Sequence, residues 1–206
     1  MLNRITLRTV ACLAFFLFGA ALQAQEMVKE SATGVEFPEA ITISHGDNEY
    51  QLHVTGTAVR KKFFFQVYGV AHYMEDAGSY KSAKEARKAA LEDGKAKEIV
   101  MSFVRDVGGD KIKDAFDEAF QTNMSAAERE TAKADMATVL GYFSGEAKED
   151  NQYGFRWLPG GVLITVIEGE EKPAVVSVPM AKALWSAWLG DDAVVDANAM
   201  VSRIVE

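Results

Sequence analysis

From Phe63 to Met74 the chain runs without a formal charge, and three cations, Arg60, Lys61 and Lys62, stand directly ahead of three phenylalanines. A run this rich in aromatic and β-branched residues predicts a buried strand, the longest in the chain. Alternate residues of a strand share a face. The odd positions, Phe63, Phe65, Val67, Gly69, Ala71 and Tyr73, are apolar but for one phenol. The even positions, Phe64, Gln66, Tyr68, Val70, His72 and Met74, mix apolar with hydrogen-bonding groups. A mixed face buried against helices is how small-molecule pockets are lined. If the register holds through Lys61 and Lys62, Arg60 shares that face with Tyr68; a tight turn there breaks the parity and still leaves the two close. The planar fork of Arg60 suits a carboxylate or phenolate, and the Tyr68 hydroxyl offers a second donor. The ligand-binding candidates are therefore Arg60, Tyr68, Phe64, Gln66 and His72. The competing reading is that the cations are a solvated strand end guarding FFF against aggregation.

The N-terminus has a different character. Arg4 and Arg8 lead into the apolar run from Val10 to Leu22, and Leu22-Gln23-Ala24 ends on a small residue. This is the charged, apolar and cleavage-site order of a secretory signal, and the run is shorter than the roughly 18 to 20 residues of a spanning helix. Residues 1–24 are expected to be a signal peptide, 25–206 one domain, and the protein periplasmic. Cleavage removes two arginines and no acid, so the formal net charge of −8 deepens by two. It also removes Cys12, the only cysteine, so neither disulfide nor thiol chemistry remains. Such acidity, with no basic stripe, argues against nucleic acid, and against an anionic membrane surface. The sequence does not specify an oligomeric state.

Residues 25–33 read as a flexible lead. Gly34–Pro38 with Ala40–Ile43 reads as a first strand, turning at His45–Asn48 into a partner over Tyr50–Val54. Ser82 with Glu85 caps a helix through Leu91 that Gly94 ends, and Glu98–Phe103 is a short buried strand. From Asp110 the apolar residues Ile112, Phe116, Ala119 and Phe120 recur at helical spacing. Ser125 with Glu128 caps one longer helix carrying Met136, Val139, Leu140 and Phe143. Pro159-Gly160-Gly161 joins two strands, Val175–Val178 adds another, Pro179 opens a helix stopped by Gly190, and a last helix covers about Val195–Val205. Antiparallel hairpins at both ends with helices between and after them mean an α+β fold.

Other chemistry is poorly supported. His45, His53 and His72 lack metal-ligand spacing, so neither metal nor cofactor is expected. No G-x-S-x-G motif is present. Gly108-Gly109 before a helix is flanked by Asp106 and Asp110, which disfavour an anion there. Trp185 and Trp188 read as core, and Glu168, Glu170 and Glu171 as a solvated turn.

Gly56-Thr57-Ala58-Val59-Arg60 followed by Phe64 to Met74 resembles the G-x-x-x-R and F-x-x-x-Y-x-x-x-x-Y-[LM] strands of chalcone-isomerase-like proteins, especially their exported bacterial branch. Gly34–Pro38, Phe103–Val107 and Ala183–Gly190 extend the likeness over nearly all of the chain after residue 24. The resemblance implies an open-faced β-sandwich: a large antiparallel sheet with helices on one face and a ligand cleft between. In the plant enzymes an arginine on this strand stabilises the phenolate that closes onto an enone, and a hydroxyl residue on the next strand positions water or ketone. Arg60 matches that arginine if the intervening hairpin is four residues shorter, and Tyr68 stands at the hydroxyl position. The tyrosine and asparagine that complete the plant set fall near Arg129 and Met136, and no tyrosine occurs between Tyr80 and Tyr142. Fatty-acid-binding relatives keep the arginine and a tyrosine without the isomerase chemistry, and this pattern fits them better. The leading expectation is a non-catalytic module for a small apolar or aromatic acid. The alternatives are an intramolecular lyase using Arg60 and Tyr68, and a protein-interaction domain whose cleft is filled by side chains.

Overall fold

The computed structural model describes residues 25–206; the expected signal peptide lies outside the described residues. Three features set the architecture: a long bent hairpin, a sheet built outward from it, and helices gathered on one face. The hairpin is β4 (Asn48–Lys62) and β5 (Phe65–Met74). The expected single strand through Phe63 is thus corrected. Phe63 and Phe64 are a two-residue turn, and the longest strand is the 15-residue β4. Before it come β1 (Met27–Lys29), β2 (Glu36–Pro38) and β3 (Ala40–His45). Beyond β5 lie β6 (Lys97–Phe103), β7 (Gln152–Leu158) and β8 (Val162–Ile167), with two-residue strands β9 (Glu170–Glu171) and β10 (Val175–Val176). The large sheet runs β10-β8-β7-β6-β5-β4-β3, β9 pairs with β8, and every pairing is antiparallel.

The helices are α1 (Ala83–Ala90), α2 (Gly109–Asn123), α3 (Ala126–Thr131), α4 (Lys133–Gly141) and α5 (Val178–Leu189), followed by a 3₁₀ helix (Ala199–Ile204). Their starts follow local chemistry. Ser82, Ser125 and Ser177 each accept a backbone N–H as N-cap, and Glu128 closes a full capping box with Ser125. The expected long helix after Ser125 is two helices broken at Ala132, and the expected last α-helix is the shorter 3₁₀ turn. The predicted flexible lead instead contains β1, paired with β2. The intervening turn is held by Glu30, whose carboxylate accepts from the Ala32 and Thr33 backbone amides and the Thr33 hydroxyl.

Two cores follow from this layering. The larger, between sheet and helices, holds Phe103, Phe116, Phe155, Trp157, Trp185 and Trp188. The smaller, on the opposite face, joins Leu52, Val54, Ala71 and Tyr73 to Phe37 and Ile43. The β4 strand serves both, because its register shifts between Val54 and Gly56. Leu52 and Val54 face the smaller core, whereas past the bulge Ala58 packs into the larger one. Without that extra residue, Arg60 would point to the face away from the helices. Gly56 has a second reason to be glycine. A Cβ there would stand 2.1 Å from the Ala199 carbonyl oxygen, so only glycine lets the 3₁₀ helix lie this close to β4.

Candidate functional site

A cleft of about 520 Å³ opens between the sheet and helices α2 and α5. Its inner wall is apolar and mostly buried: Tyr68 from β5, Met101 and Phe103 from β6, Ile112 and Phe116 from α2, and Trp188 from α5. Phe103 meets Tyr68 edge-on at 5.6 Å between centroids, and Phe116 lies 6.1 Å from Trp188. At the outer rim stand Arg60, Lys62, Arg105 and Lys111, with Asp106, Glu118 and Asp192. Asp106 is already engaged, accepting from the Lys148 ammonium at 2.9 Å and from the Glu149 amide. The rim is therefore cationic in a chain whose overall charge is −8.

Arg60 and Tyr68 are direct cross-strand partners in the β4–β5 ladder. Arg60 is half-buried; its Nη1 donates to the Val194 and Lys61 carbonyl oxygens, each at 3.0 Å. Among the described residues no carboxylate pairs with it, and the remaining N–H groups of the fork have no protein acceptor. Tyr68 is buried, and its hydroxyl oxygen accepts from Trp188 Nε1 at 3.1 Å. Burial pushes its phenol up to about 12, against the opposing pull of the Trp188 hydrogen bond and the Arg60 charge. The hydroxyl thus keeps its proton through neutral pH. Its oxygen is occupied by Trp188, so its proton is the part available to a ligand.

The other sequence candidates lie elsewhere. A second register shift, where Arg60 opposes Tyr68 but Lys61 opposes Gln66, leaves Val67 as an extra residue. Parity reverses there, so Val67 and Phe65 line the cleft, while Gln66 donates to the Ala32 carbonyl oxygen on the far face. Phe64 sits at the hairpin turn, 83% exposed. His72 does share the face of Tyr68, but it is sealed beneath the 3₁₀ helix, with its Nδ1 2.6 Å from Thr55 Oγ1. Phe64, Gln66 and His72 are thus corrected as cleft-lining groups. Neither Arg129 nor Met136 reaches the cleft. Arg129 donates to carbonyl oxygens at the end of α2, and Met136 is core. The uncharged polar groups that α2 presents are Thr122 and Asn123, beside its rim charges Lys111 and Glu118. In the sequence Trp188 reads only as core, and Asn123 carries no signal for the cleft. A signal for Trp188 existed in its indole N–H, which needs an acceptor when buried.

The family model described as chalcone isomerase-like matches residues 29–198. The chain belongs to the chalcone isomerase-like family. A crystal structure of a fatty-acid binding protein from Arabidopsis thaliana is similar to it, with a TM-score of 0.64 and 20% identity, covering 87% of this chain and 96% of that one. At this identity the likeness establishes the fold, and the fold is the chalcone isomerase-like one. No curated protein sequence matches the chain. In this member of the family the cleft lies where sheet and helices part, with Arg60 and Tyr68 on its wall. Among the described residues no group of three or more His, Cys, Asp or Glu is arranged to hold a metal ion. No helix among them is long and apolar enough to cross a membrane.

Proposed function

We propose that this protein binds an apolar carboxylic acid of fatty-acid type in the cleft and does no chemistry on it. The observation that carries this reading is the Arg60–Tyr68 pair: an arginine without a carboxylate partner beside a phenol held as a donor, both on an aromatic wall. A carboxylate head could accept from both while its chain lies against Phe103, Phe116 and Trp188. Charge-assisted hydrogen bonds of this kind are roughly twice as strong as neutral ones. A cleft of about 520 Å³ falls in the ordinary range for small-molecule sites. The similar Arabidopsis protein, named for fatty-acid binding, agrees with this reading.

The lyase alternative is disfavoured by what surrounds the pair. Catalysis of that type needs donors aimed at the developing charge; the positions near Arg129 and Met136 contribute none to the cleft, and the Asn123 amide that lines it donates to the Ala119 carbonyl oxygen of its own helix at 2.9 Å. The filled-cleft alternative is disfavoured by the volume itself. Our proposal includes export to the periplasm with processing at or near Gln25, which N-terminal sequencing of the exported protein would check. The binding reading is tested by native mass spectrometry of protein purified from the cells that make it. A co-purifying acid of lipid size is expected in the wild type and much reduced in Arg60→Ala. Equal occupancy in both would contradict the role given to Arg60.

A further inference from the structure

The turn at Phe63-Phe64 is at odds with the rules that shape the rest of the fold. Two-residue hairpin turns favour glycine, asparagine or aspartate because they call for positive φ. Here Phe63 takes φ +57° with its side chain 88% exposed, and Phe64 beside it is 83% exposed. A left-handed conformation costs a non-glycine residue free energy, and burial returns nothing to either ring. Around them are cations: Lys61 and Lys62 below the turn, and Arg105, whose guanidinium lies 4.8 Å from the Phe65 ring centroid. None of the three pairs with a carboxylate among the described residues.

We propose that this tip docks on an anionic lipid bilayer, with Phe63 and Phe64 inserted at the interface and Lys61, Lys62 and Arg105 on lipid phosphates. A narrow tip offers far less than the roughly 1,200 Å² of a stable protein interface, whereas two aromatic rings flanked by cations match a membrane surface. The acidity of the whole chain does not decide the matter locally: of the carboxylates on the adjoining rim, Asp106 is engaged by the Lys148 ammonium and the Glu149 amide, and Glu118 and Asp192 belong to the helix side of the cleft. Lys62, Phe63 and Phe65 also line the cleft. If the cleft takes a fatty acid, as proposed above, the tip sets its mouth against the bilayer that holds such acids; only this last step rests on that reading.

The test is co-sedimentation with vesicles of phosphatidylcholine, alone or with a third of phosphatidylglycerol. Wild type should bind the mixed vesicles, and less well as salt rises. Phe63→Ser with Phe64→Ser should weaken binding on the order of tenfold or more. Each of Lys61→Ser and Lys62→Ser should weaken it about fivefold at low salt. Phe63→Gly separates function from folding: it should raise the melting temperature, since glycine takes positive φ freely, and still lower vesicle binding. Wild type that ignores both vesicles, or binds equally without the two rings, overturns the proposal. Self-association lost in the same double variant would then identify a second copy of the chain as the occupant. Phe64→Ser alone, whose ring lies outside the cleft, should weaken vesicle binding and keep the wild-type fatty-acid affinity in solution, which separates the membrane proposal from the cleft reading.

Discussion

Gly56 opposite His72 and Arg60 opposite Tyr68 are two cross-strand pairs on one face of the same hairpin. Each includes a polar ring buried in the sheet, yet one pair is core and the other is cleft wall. The difference lies in what covers them. Over Gly56 the 3₁₀ helix approaches so closely that its Ala199 and Met200 carbonyls touch the strand. Thr55, the bulge residue, bridges the two layers with its hydroxyl 2.8 Å from the Met200 oxygen and 2.6 Å from His72 Nδ1. The arrangement that satisfies these contacts has Nδ1–H donating to Thr55, and Thr55 donating to Met200. That leaves Nε2 as a bare lone pair without a partner. Burial, reinforced by the Lys97 charge, pulls the ring down to about 3. Over Arg60 no helix closes, and beside the carbonyl of its own neighbour Lys61 only that of Val194 accepts from the guanidinium. A sealed polar group becomes part of the fold, whereas an open one is left with donors to offer.

The sealed end should control stability. As pH falls from about 6.5 toward 3, the unfolded chain takes up a proton that folded His72 refuses, so stability is full above that window and declines through it. The loss should be on the order of 4 kcal/mol at the acid end. Urea unfolding across this range should trace it, and His72→Leu should flatten the dependence. A smaller break is Gly56→Ala. Its methyl meets backbone rather than a flexible side chain, and the forced shift should cost about 3 kcal/mol in thermal or denaturant unfolding. If that variant is as stable as the wild type, the close approach of the 3₁₀ helix is not what closes this end.

Tyr68→Phe sits between the two regimes. It leaves the buried Trp188 N–H without its acceptor, so stability should fall by about 2 kcal/mol. It also removes the donor that the proposed binding mode gives the carboxylate, so fatty-acid affinity should fall by about tenfold in the same variant. A drop in stability with unchanged affinity would make Tyr68 a support for Trp188 alone. The open end, by contrast, should barely affect folding.

The sequence already revealed that Tyr68 and His72 share a face, because β5 is regular from Tyr68 to Met74. The capped helices and the antiparallel α+β layering were legible for the same reason: serine caps and period-two runs act locally. The two bulges were not. Gly56 within a strand run was the one hint of the first, since such a glycine often marks a bulge, and nothing in Gln66-Val67-Tyr68 announces the second; each reverses every side chain beyond it. In the sequence the turn stands only as an alternative to a continuous strand, because Phe63 and Phe64 are the wrong residues for one. The β1 strand was missed because it depends on Glu30 folding back onto Ala32 and Thr33, contacts within a polar stretch that reads as loop. The covering of His72 was out of reach altogether, since it is supplied by residues more than a hundred positions away.

The central claim is that Arg60 grips an acid while its neighbour Lys61, outside the cleft, takes no part in holding it. Calorimetric titration of a long-chain fatty acid into wild type, Arg60→Ala and Lys61→Ala tests it most directly. A hydrogen-bonded charge is worth roughly 1.5 to 3 kcal/mol. Arg60→Ala should therefore weaken binding about ten- to a hundredfold, with stability changed by less than about 1 kcal/mol, while Lys61→Ala matches the wild type. Equal affinities for the two variants would contradict the account and reduce the cations to guards of the hairpin.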